Sequence, residues 1–179
     1  MEYWKKFYKE KKTPRKSSNF AKFIADYGLS GGTLIDLGSG NGRDSAFLSK
    51  AYSVTAVDPS CKPEDKPKVK FLKSGWKKQI PKIRKADIVY SRFFLHAIPR
   101  KEVDKIIENT TGYFCAEARS IGDKPKLYPD HKRYFISGKE LLETLISYGF
   151  DILYYKKAYG FSRYKKEDPL LIRVIAKKI

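Results

Sequence analysis

The run Thr33-Leu34-Ile35-Asp36-Leu37-Gly38-Ser39-Gly40-Asn41-Gly42-Arg43-Asp44 constrains this chain more than any other stretch. A short apolar strand leads into three alternating glycines and then into a helical pattern. Such a turn needs glycine because positive φ and close backbone approach exclude a Cβ. The helix that follows directs free N–H groups and its positive dipole end toward a bound ligand. The run therefore reads as a cradle for a nucleotide cofactor. A second apolar strand, Ser53 to Val57, ends about twenty residues further on at Asp58, where a carboxylate can accept from both ribose hydroxyls. A dinucleotide fingerprint would place its third glycine at position 43, and the chain has Arg43 there.

Strand and helix patterns alternate from residue 33 onward, which predicts a parallel α/β sheet with right-handed crossovers. Strands are expected near 33–37, 53–57, 69–72, 86–91, 112–118, 150–156 and 170–177, with helices near 42–50, 78–84, 99–109 and 137–148. Ser137 and Glu140 form a capping pattern at the start of the last helix, and Gly149 closes it. The segment from Ala158 to Pro169 has no helical pattern, so the last two strands should pair antiparallel at the sheet edge. Two helical candidates precede the first strand: Glu2 to Lys9, with Tyr3, Trp4, Phe7 and Tyr8, and Phe20 to Tyr27, with Phe20, Phe23 and Ile24. With no repeat, linker or second domain evident, residues 1–179 are expected to form one domain.

Composition bounds the function. A chain of 179 residues with 41 % hydrophobic content can bury a core of its own. No apolar run reaches the ~18 residues that would span a bilayer, and Met1-Glu2-Tyr3-Trp4-Lys5-Lys6 lacks a signal peptide's apolar region. A cytoplasmic protein is expected. Cys61 and Cys115 lack metal-ligand spacing, so free thiols and no metal site are expected. The net charge of +18 suits a polyanion, nucleic acid among them. The basic residues, however, are mostly lysines spread over Lys5 to Lys16, Lys62 to Lys85 and Lys156 to Lys166, without an arginine-rich arm. A solvated basic surface is the favoured reading, with nucleic acid a possible partner.

The pattern Asp36-x-Gly38-x-Gly40-x-Gly42, with Asp58 after the second strand, resembles the class I S-adenosylmethionine-dependent methyltransferases. The resemblance implies a Rossmann-like seven-stranded sheet in the order 3-2-1-4-5-7-6, helices on both faces and a terminal antiparallel hairpin. It implies S-adenosyl-L-methionine as cofactor, held by Asp36, Gly38, Ser39, Gly40, Asn41, Gly42 and Asp44, then by Asp58 and Pro59 after the second strand. Ser74, Gly75 and Trp76 after the third strand would meet the adenine. The family's usual Asp is missing there, and Trp76 suits ordinary packing equally well. Ser91, Arg92 and Phe93 after the fourth strand would line the methionine end. In the family, N-terminal helices lie across the cofactor, so residues 1–30 would form a cap bringing Tyr8 or Ser18 near the methionine carboxylate. The same aromatics would also simply pack on the sheet.

Catalytic candidates follow from the ends of the fourth and fifth strands. His96 is a neutral imidazole near pH 7 that can take a hydroxyl proton, or a buried structural group. Glu117 and Arg119 sit at alternate positions and so share a face, as a catalytic or binding pair or as a buried salt bridge anchoring the next loop. Tyr128, His131, Lys132, Arg133 and Tyr134 form a basic-aromatic cluster suited to an anionic or sugar-like acceptor, or a plain surface. Taken together, Ser91 to Ile98, Glu117-Ala118-Arg119-Ser120 and Glu167 to Lys177 resemble small class I methyltransferases associated with glycan and surface-polysaccharide synthesis. Several acceptors are excluded by what the chain lacks. It has no Asp/Asn-Pro-Pro-aromatic motif for exocyclic amines, no Pro-Cys nucleophile for cytosine C5, and no Asp after strand four for a Lys-Asp-Lys-Glu ribose enzyme. The expectation is an O-methyltransferase acting on a sugar hydroxyl of a glycan or glycan precursor, with His96 and then Glu117 as base and Arg119 and Arg133 holding the acceptor. Its rivals are an RNA or cap methyltransferase and a non-catalytic cofactor-binding partner subunit, and oligomeric state is left open.

Overall fold

The computed structural model describes residues 6, 14–60, 63, 67–123, 133–163 and 167–179. The aromatic candidate helix from Glu2 to Lys9, apart from Lys6, lies outside the described residues, as do Cys61, Tyr128, His131 and Lys132. Seven strands form one sheet: β1 Thr33–Leu37, β2 Ser53–Val57, β3 Val69–Leu72, β4 Ile88–Arg92, β5 Tyr113–Arg119, β6 Phe150–Ala158 and β7 Leu171–Lys178. Their order is β3-β2-β1-β4-β5-β7-β6. Pairs within β1 to β5 are parallel, while β7 runs antiparallel to both β5 and β6. The expected architecture and its terminal hairpin are therefore present.

The helices are α1 Asn19–Tyr27, α2 Arg43–Leu48, α3 Ile80–Ile83, α4 Arg100–Glu108 and α5 Gly138–Ser147, with 3-10 turns at Trp76–Gln79 and Leu95–Ala97. Each begins and ends for a local reason. Ser18 caps α1 by accepting from the Ala21 N–H, and Gly28 ends it in the left-handed region. Ser137 accepts from the Glu140 N–H at 3.3 Å, as its capping pattern predicts. The second helix is shorter than the 42–50 expected, because Ser49 and Lys50 close it with turn bonds to Ala46 and Phe47.

Alternation along the buried strands divides the core in two. Ile35, Leu37, Val89, Phe114, Ala116 and Val174 face α3, α4 and α5, meeting Ile83, Val103, Ile106, Leu141 and Leu145. Leu34, Val54, Ile88, Tyr90, Cys115 and Ile175 face α1 and α2, meeting Phe20, Ile24 and Leu48. Each such fully buried side chain contributes roughly 1.5–3 kcal/mol. The ring of Phe20 stacks on Tyr90 at 5.2 Å and Phe23 lies 4.8 Å from Tyr154, so the aromatic stripe of α1 packs on the sheet. Cys115 is free, and burial pushes its thiol pKa up, which makes it an inert core residue. Among the described residues no helix is long and apolar enough to cross a membrane, and no group of side chains is placed to hold a metal ion.

Candidate cofactor and acceptor site

In a parallel sheet the carboxyl ends of β1, β2, β4 and β5 open on one side, where ligands bind. The glycine turn closes β1 there. Gly38 and Ser39 both donate to the Val57 carbonyl, at 2.9 and 3.1 Å, and Gly42 donates back to Ser39 at 2.9 Å. Gly38, Gly40 and Gly42 have φ of 75°, 55° and 70°, so the positive φ expected of this turn occurs at all three. A Cβ on Gly38 would lie 2.7 Å from the Cβ of Phe94. Gly38→Ala should therefore cost about 2–3 kcal/mol of stability, read as a lower urea midpoint at unchanged slope. Asp58 is buried beside the turn and fastens it, accepting from Gly40 N–H at 3.0 Å and Ser60 N–H at 2.7 Å. A carboxylate offers about four lone-pair positions, enough for backbone donors and two ribose hydroxyls together.

Behind the turn lies a carboxyl cluster whose wiring the sequence does not reveal. Asp44 accepts from the Ser18 N–H and hydroxyl, both at 2.7 Å, and from Tyr90 Oη at 2.9 Å. Ser18 thus spends its proton on Asp44 and a lone pair on the α1 cap, which makes it a clamp between α1 and α2. Asn41 Nδ2 donates to the Pro14 carbonyl and Arg43 to that of Lys16, both at 2.9 Å. These bonds draw the segment from Pro14 to Ser18 over the glycine turn. Tyr8, the other residue expected there, lies outside the described residues.

Asp36 accepts from Ser45 Oγ at 2.6 Å. Burial pushes its carboxyl up to about 7, against the Ser45 hydrogen bond, with the charges of Asp44 and Asp58 adding to the rise. The unfolded chain ionises this group first, so its contribution to stability is full below about pH 4 and is lost as pH rises to about 7. Asp36→Asn should remove that fall, seen as a flatter dependence of Tm on pH between those limits.

After β3, Ser74 donates to the Gly75 carbonyl at 3.1 Å and accepts from Gln79 Nε2 at 3.0 Å. Gly75 has ordinary extended dihedrals and open space where a Cβ would stand, so nothing here requires glycine. Trp76 is buried in the core and its indole N–H donates to Glu102 at 3.3 Å. Trp76 packs in the core, which is the second of its two expected roles.

Strand β4 runs through Arg92, and its end carries three unusual features. Ser91 stands between Leu37 of β1 and Ala116 of β5, and its Oγ is fully buried with no hydrogen-bond partner among the described residues. Phe93 has φ of 58°, a conformation that costs a bulky residue about 1–3 kcal/mol. Its N–H donates to the Glu117 carbonyl at 2.8 Å, while Arg92 stacks on its ring at 4.2 Å. His96 is buried 5.7 Å from the Phe93 ring, and its Nδ1 accepts from the Arg119 N–H at 3.2 Å. This puts His96 against the end of β5, where either of its expected roles, base or buried structural group, would place it.

Glu117 and Arg119 share a face as expected, but they do not pair with each other. Arg92, Glu117 and Arg173 stand in register across β4, β5 and β7. Arg92 Nε lies 3.0 Å from one Glu117 oxygen and Arg173 Nε 2.6 Å from the other. Burial pushes the Glu117 carboxyl up despite the two guanidiniums. Both Glu117 oxygens are thus engaged by guanidiniums. Arg119 pairs with Asp123 at 2.7 Å and Glu167 at 3.0 Å, and Asp123 also accepts from Leu170 N–H. This is the loop-anchoring alternative, and it ties the end of β5 to the approach to β7. Arg133 is half-buried beside Tyr134, whose N–H donates to the His96 carbonyl at 2.8 Å. Sequence reasoning missed Arg173. Its signal was a single charge inside the apolar run Leu170-Leu171-Ile172-Arg173-Val174-Ile175, which an interior strand does not carry without a partner.

An orphaned buried hydroxyl at the β4 end, a glycine turn and a carboxylate on the neighbouring strand fit a nucleoside cofactor with a polar tail. No family model matches this chain, and no curated protein matches it. Solved structures do match. A SAM-dependent methyltransferase from Anabaena variabilis superposes with a TM-score of 0.76 at 16 % identity, over 99 % of this chain and 93 % of that one. The 1,6-didemethyltoxoflavin-N1-methyltransferase of Burkholderia thailandensis, solved with 1,6-didemethyltoxoflavin and S-adenosylhomocysteine bound, gives 0.66 at 18 %, over 89 % and 76 %. The glycopeptide N-methyltransferase MtfA, complexed with S-adenosylmethionine, gives 0.60 at 11 %, over 91 % and 95 %. At identities this low the likeness is one of fold, and the chain has the fold of the class I S-adenosylmethionine-dependent methyltransferases.

Proposed function

We propose that the chain is a single-domain cytoplasmic S-adenosylmethionine-dependent O-methyltransferase acting on a sugar hydroxyl of a glycan or glycan precursor. The observation that carries the methyltransferase reading is the glycine turn locked to Asp58 at the carboxyl ends of adjacent strands β1 and β2. When bound, the cofactor would supply an electrophilic methyl group: the acceptor oxygen would bond to the methyl carbon as the methyl–sulfur bond breaks, S-adenosylhomocysteine would leave, and the hydroxyl proton would pass to His96 or to water. The chain's own part is to hold the pieces. Asp58 would bind the ribose, Ser91 Oγ would gain a hydrogen-bond partner, and His96 would meet the acceptor hydroxyl as base. Much of the acceleration then comes from near-attack positioning. The glycan acceptor is supported by the sequence resemblance, and a glycopeptide enzyme stands among the matching folds.

Incubation with methyl-labelled cofactor against sugar, RNA and protein panels tests the reading, with label expected in a sugar fraction. Calorimetry with S-adenosylhomocysteine and NAD should show binding of the first alone, and tight NAD binding would end the proposal. The RNA reading is favoured by the charge and by Lys70, Lys82 and Lys85, which line a hollow at the amino ends of β1 to β3. Diffuse lysines release counterions without reading bases, so RNA should bind weakly and without sequence preference at about 150 mM salt. Submicromolar binding to a defined RNA would place that reading first.

A further inference from the structure

The positive charge of the chain gathers at one edge of the sheet. Residues 67–86 carry eight lysines and arginines and no acidic residue, and the preceding Lys62, Glu64, Asp65 and Lys66 cancel one another. The stretch forms β3, the first 3-10 turn and α3, and β3 is an edge strand paired with β2 alone. Lys77 is engaged by Glu102 at 2.6 Å, and Arg84 donates to Asn109 at 2.7 Å. Lys68, Lys70, Lys73, Lys78, Lys82 and Lys85 are exposed.

Lys70, Lys82 and Lys85 line a hollow of about 260 Å³ together with the hydroxyl residues Thr33, Ser53 and Thr55. Thr33 and Ser53 open β1 and β2, and Lys70 stands opposite Thr55. The hollow is therefore a strand length, about 15 Å, from the glycine turn and Asp58 at the carboxyl ends. Asp87, the next acidic residue along the chain, already accepts from the Gly32 and Thr33 N–H groups and from the Thr33 hydroxyl. Sites that enclose a whole small ligand run to roughly 300–1,000 Å³. This smaller, open hollow suits one unit of a longer chain lying across the edge. Ammonium groups beside hydroxyls match a chain whose units carry both charge and hydroxyls. No aromatic side chain lines the hollow, and the two in the stretch, Phe71 and Trp76, are buried, so the bases of a single-stranded RNA have nothing there to stack on.

We propose that this basic edge binds an acidic polysaccharide, with uronate carboxylates against Lys70, Lys82 and Lys85 and ring hydroxyls against Ser53 and Thr55. Lysines supply compact point charges, which hold a repeating anion without the planar fork that arginine brings to base edges. Exposed Lys73 and Lys78 continue the positive surface past the carboxyl end of β3. A chain held in the hollow can therefore extend toward the cofactor cradle, so that the acceptor is a polymer and not a single sugar. That last step rests on the methyltransferase reading, whereas the binding surface does not.

Titration calorimetry of the whole protein with polygalacturonate, trigalacturonate, dextran and poly(U) tests the surface. Polygalacturonate should bind at least about tenfold more tightly than trigalacturonate or poly(U), and its affinity should fall with added salt as counterions are released. Neutral dextran should not bind. Lys70→Glu, Lys82→Glu and Lys85→Glu together should weaken polygalacturonate at least about tenfold and flatten its salt dependence, while Tm and S-adenosylhomocysteine affinity stay unchanged. The same charge reversal at Lys22, Lys101 and Lys157, exposed on other elements, should cost less than about threefold, because salt screens charges beyond a Debye length. Equal losses in the two triple variants overturn the proposal, as does polygalacturonate binding no better than dextran or trigalacturonate. Tighter binding of poly(U) overturns it in favour of the RNA reading. A protein that binds polygalacturonate but no S-adenosylhomocysteine keeps the surface and loses the methyltransferase reading, and one that binds only S-adenosylhomocysteine does the reverse.

Discussion

Asp58→Ala should lower the affinity for S-adenosylhomocysteine at least tenfold, and on the order of a hundredfold if water replaces neither hydrogen bond well. On the proposed function, two charge-assisted bonds to ribose would be lost, each worth about 1.5–3 kcal/mol. A second loss adds to the first. Asp58 also anchors the Gly40 and Ser60 N–H groups, so its removal loosens the turn that must lie against the cofactor. Asp58→Asn keeps one acceptor oxygen and should fall between the two proteins. Titration calorimetry measures all three, and an Asp58→Ala protein with undiminished affinity would remove this residue from the site.

Glu117→Ala should destabilise the fold by about 3–5 kcal/mol, because it strands two shielded guanidiniums against each other. For a chain of this length that corresponds to a Tm lower by about 6–20 °C. The raised carboxyl pKa does not contradict so large an effect. Burial costs the carboxylate more than the arginines return, yet removing it leaves their own desolvation unopposed. Combining Glu117→Ala with Arg92→Met and Arg173→Met should recover much of the loss, since a packed apolar trio carries no such penalty. If Glu117→Ala alone unfolds at the Tm of the unaltered protein, the three residues are not coupled as the register places them. Were Glu117 instead the catalytic base, its replacement would reduce turnover while leaving stability nearly intact.

What was legible in the sequence has a local physical cause. β1, its glycine turn and Asp58 follow from strand periodicity and from the positive φ that only glycine adopts freely, and all three glycines have it. The cap at Ser137 was readable because the hydroxyl and the N–H it accepts are three residues apart. The terminal hairpin was readable because the segment between its strands lacks a helical period. The strand order came from the family resemblance, which spans nearly the whole chain. The end of β4 shows the limit. Its pattern predicted 86–91, whereas the strand runs Ile88–Arg92, and that single residue puts Arg92 opposite Glu117.

By itself, then, the sequence determined most of the strands, the cradle and the acidic residue on the next strand, because each is set by backbone preferences acting over a few positions. It also determined that Glu117 and Arg119 share a face, since alternation has period two whatever lies alongside. Only the tertiary structure decided their partners. Arg92 is 25 residues from Glu117 along the chain and Arg173 is 56, and they meet because β7 inserts between β5 and β6 in one particular register. The same holds for His96, whose Nδ1 accepts from an N–H on β5, and for Ser18, whose hydroxyl is claimed by Asp44. A side chain's type limits the bonds it can make, but which bond it makes depends on groups that only the packed sheet brings within 3 Å.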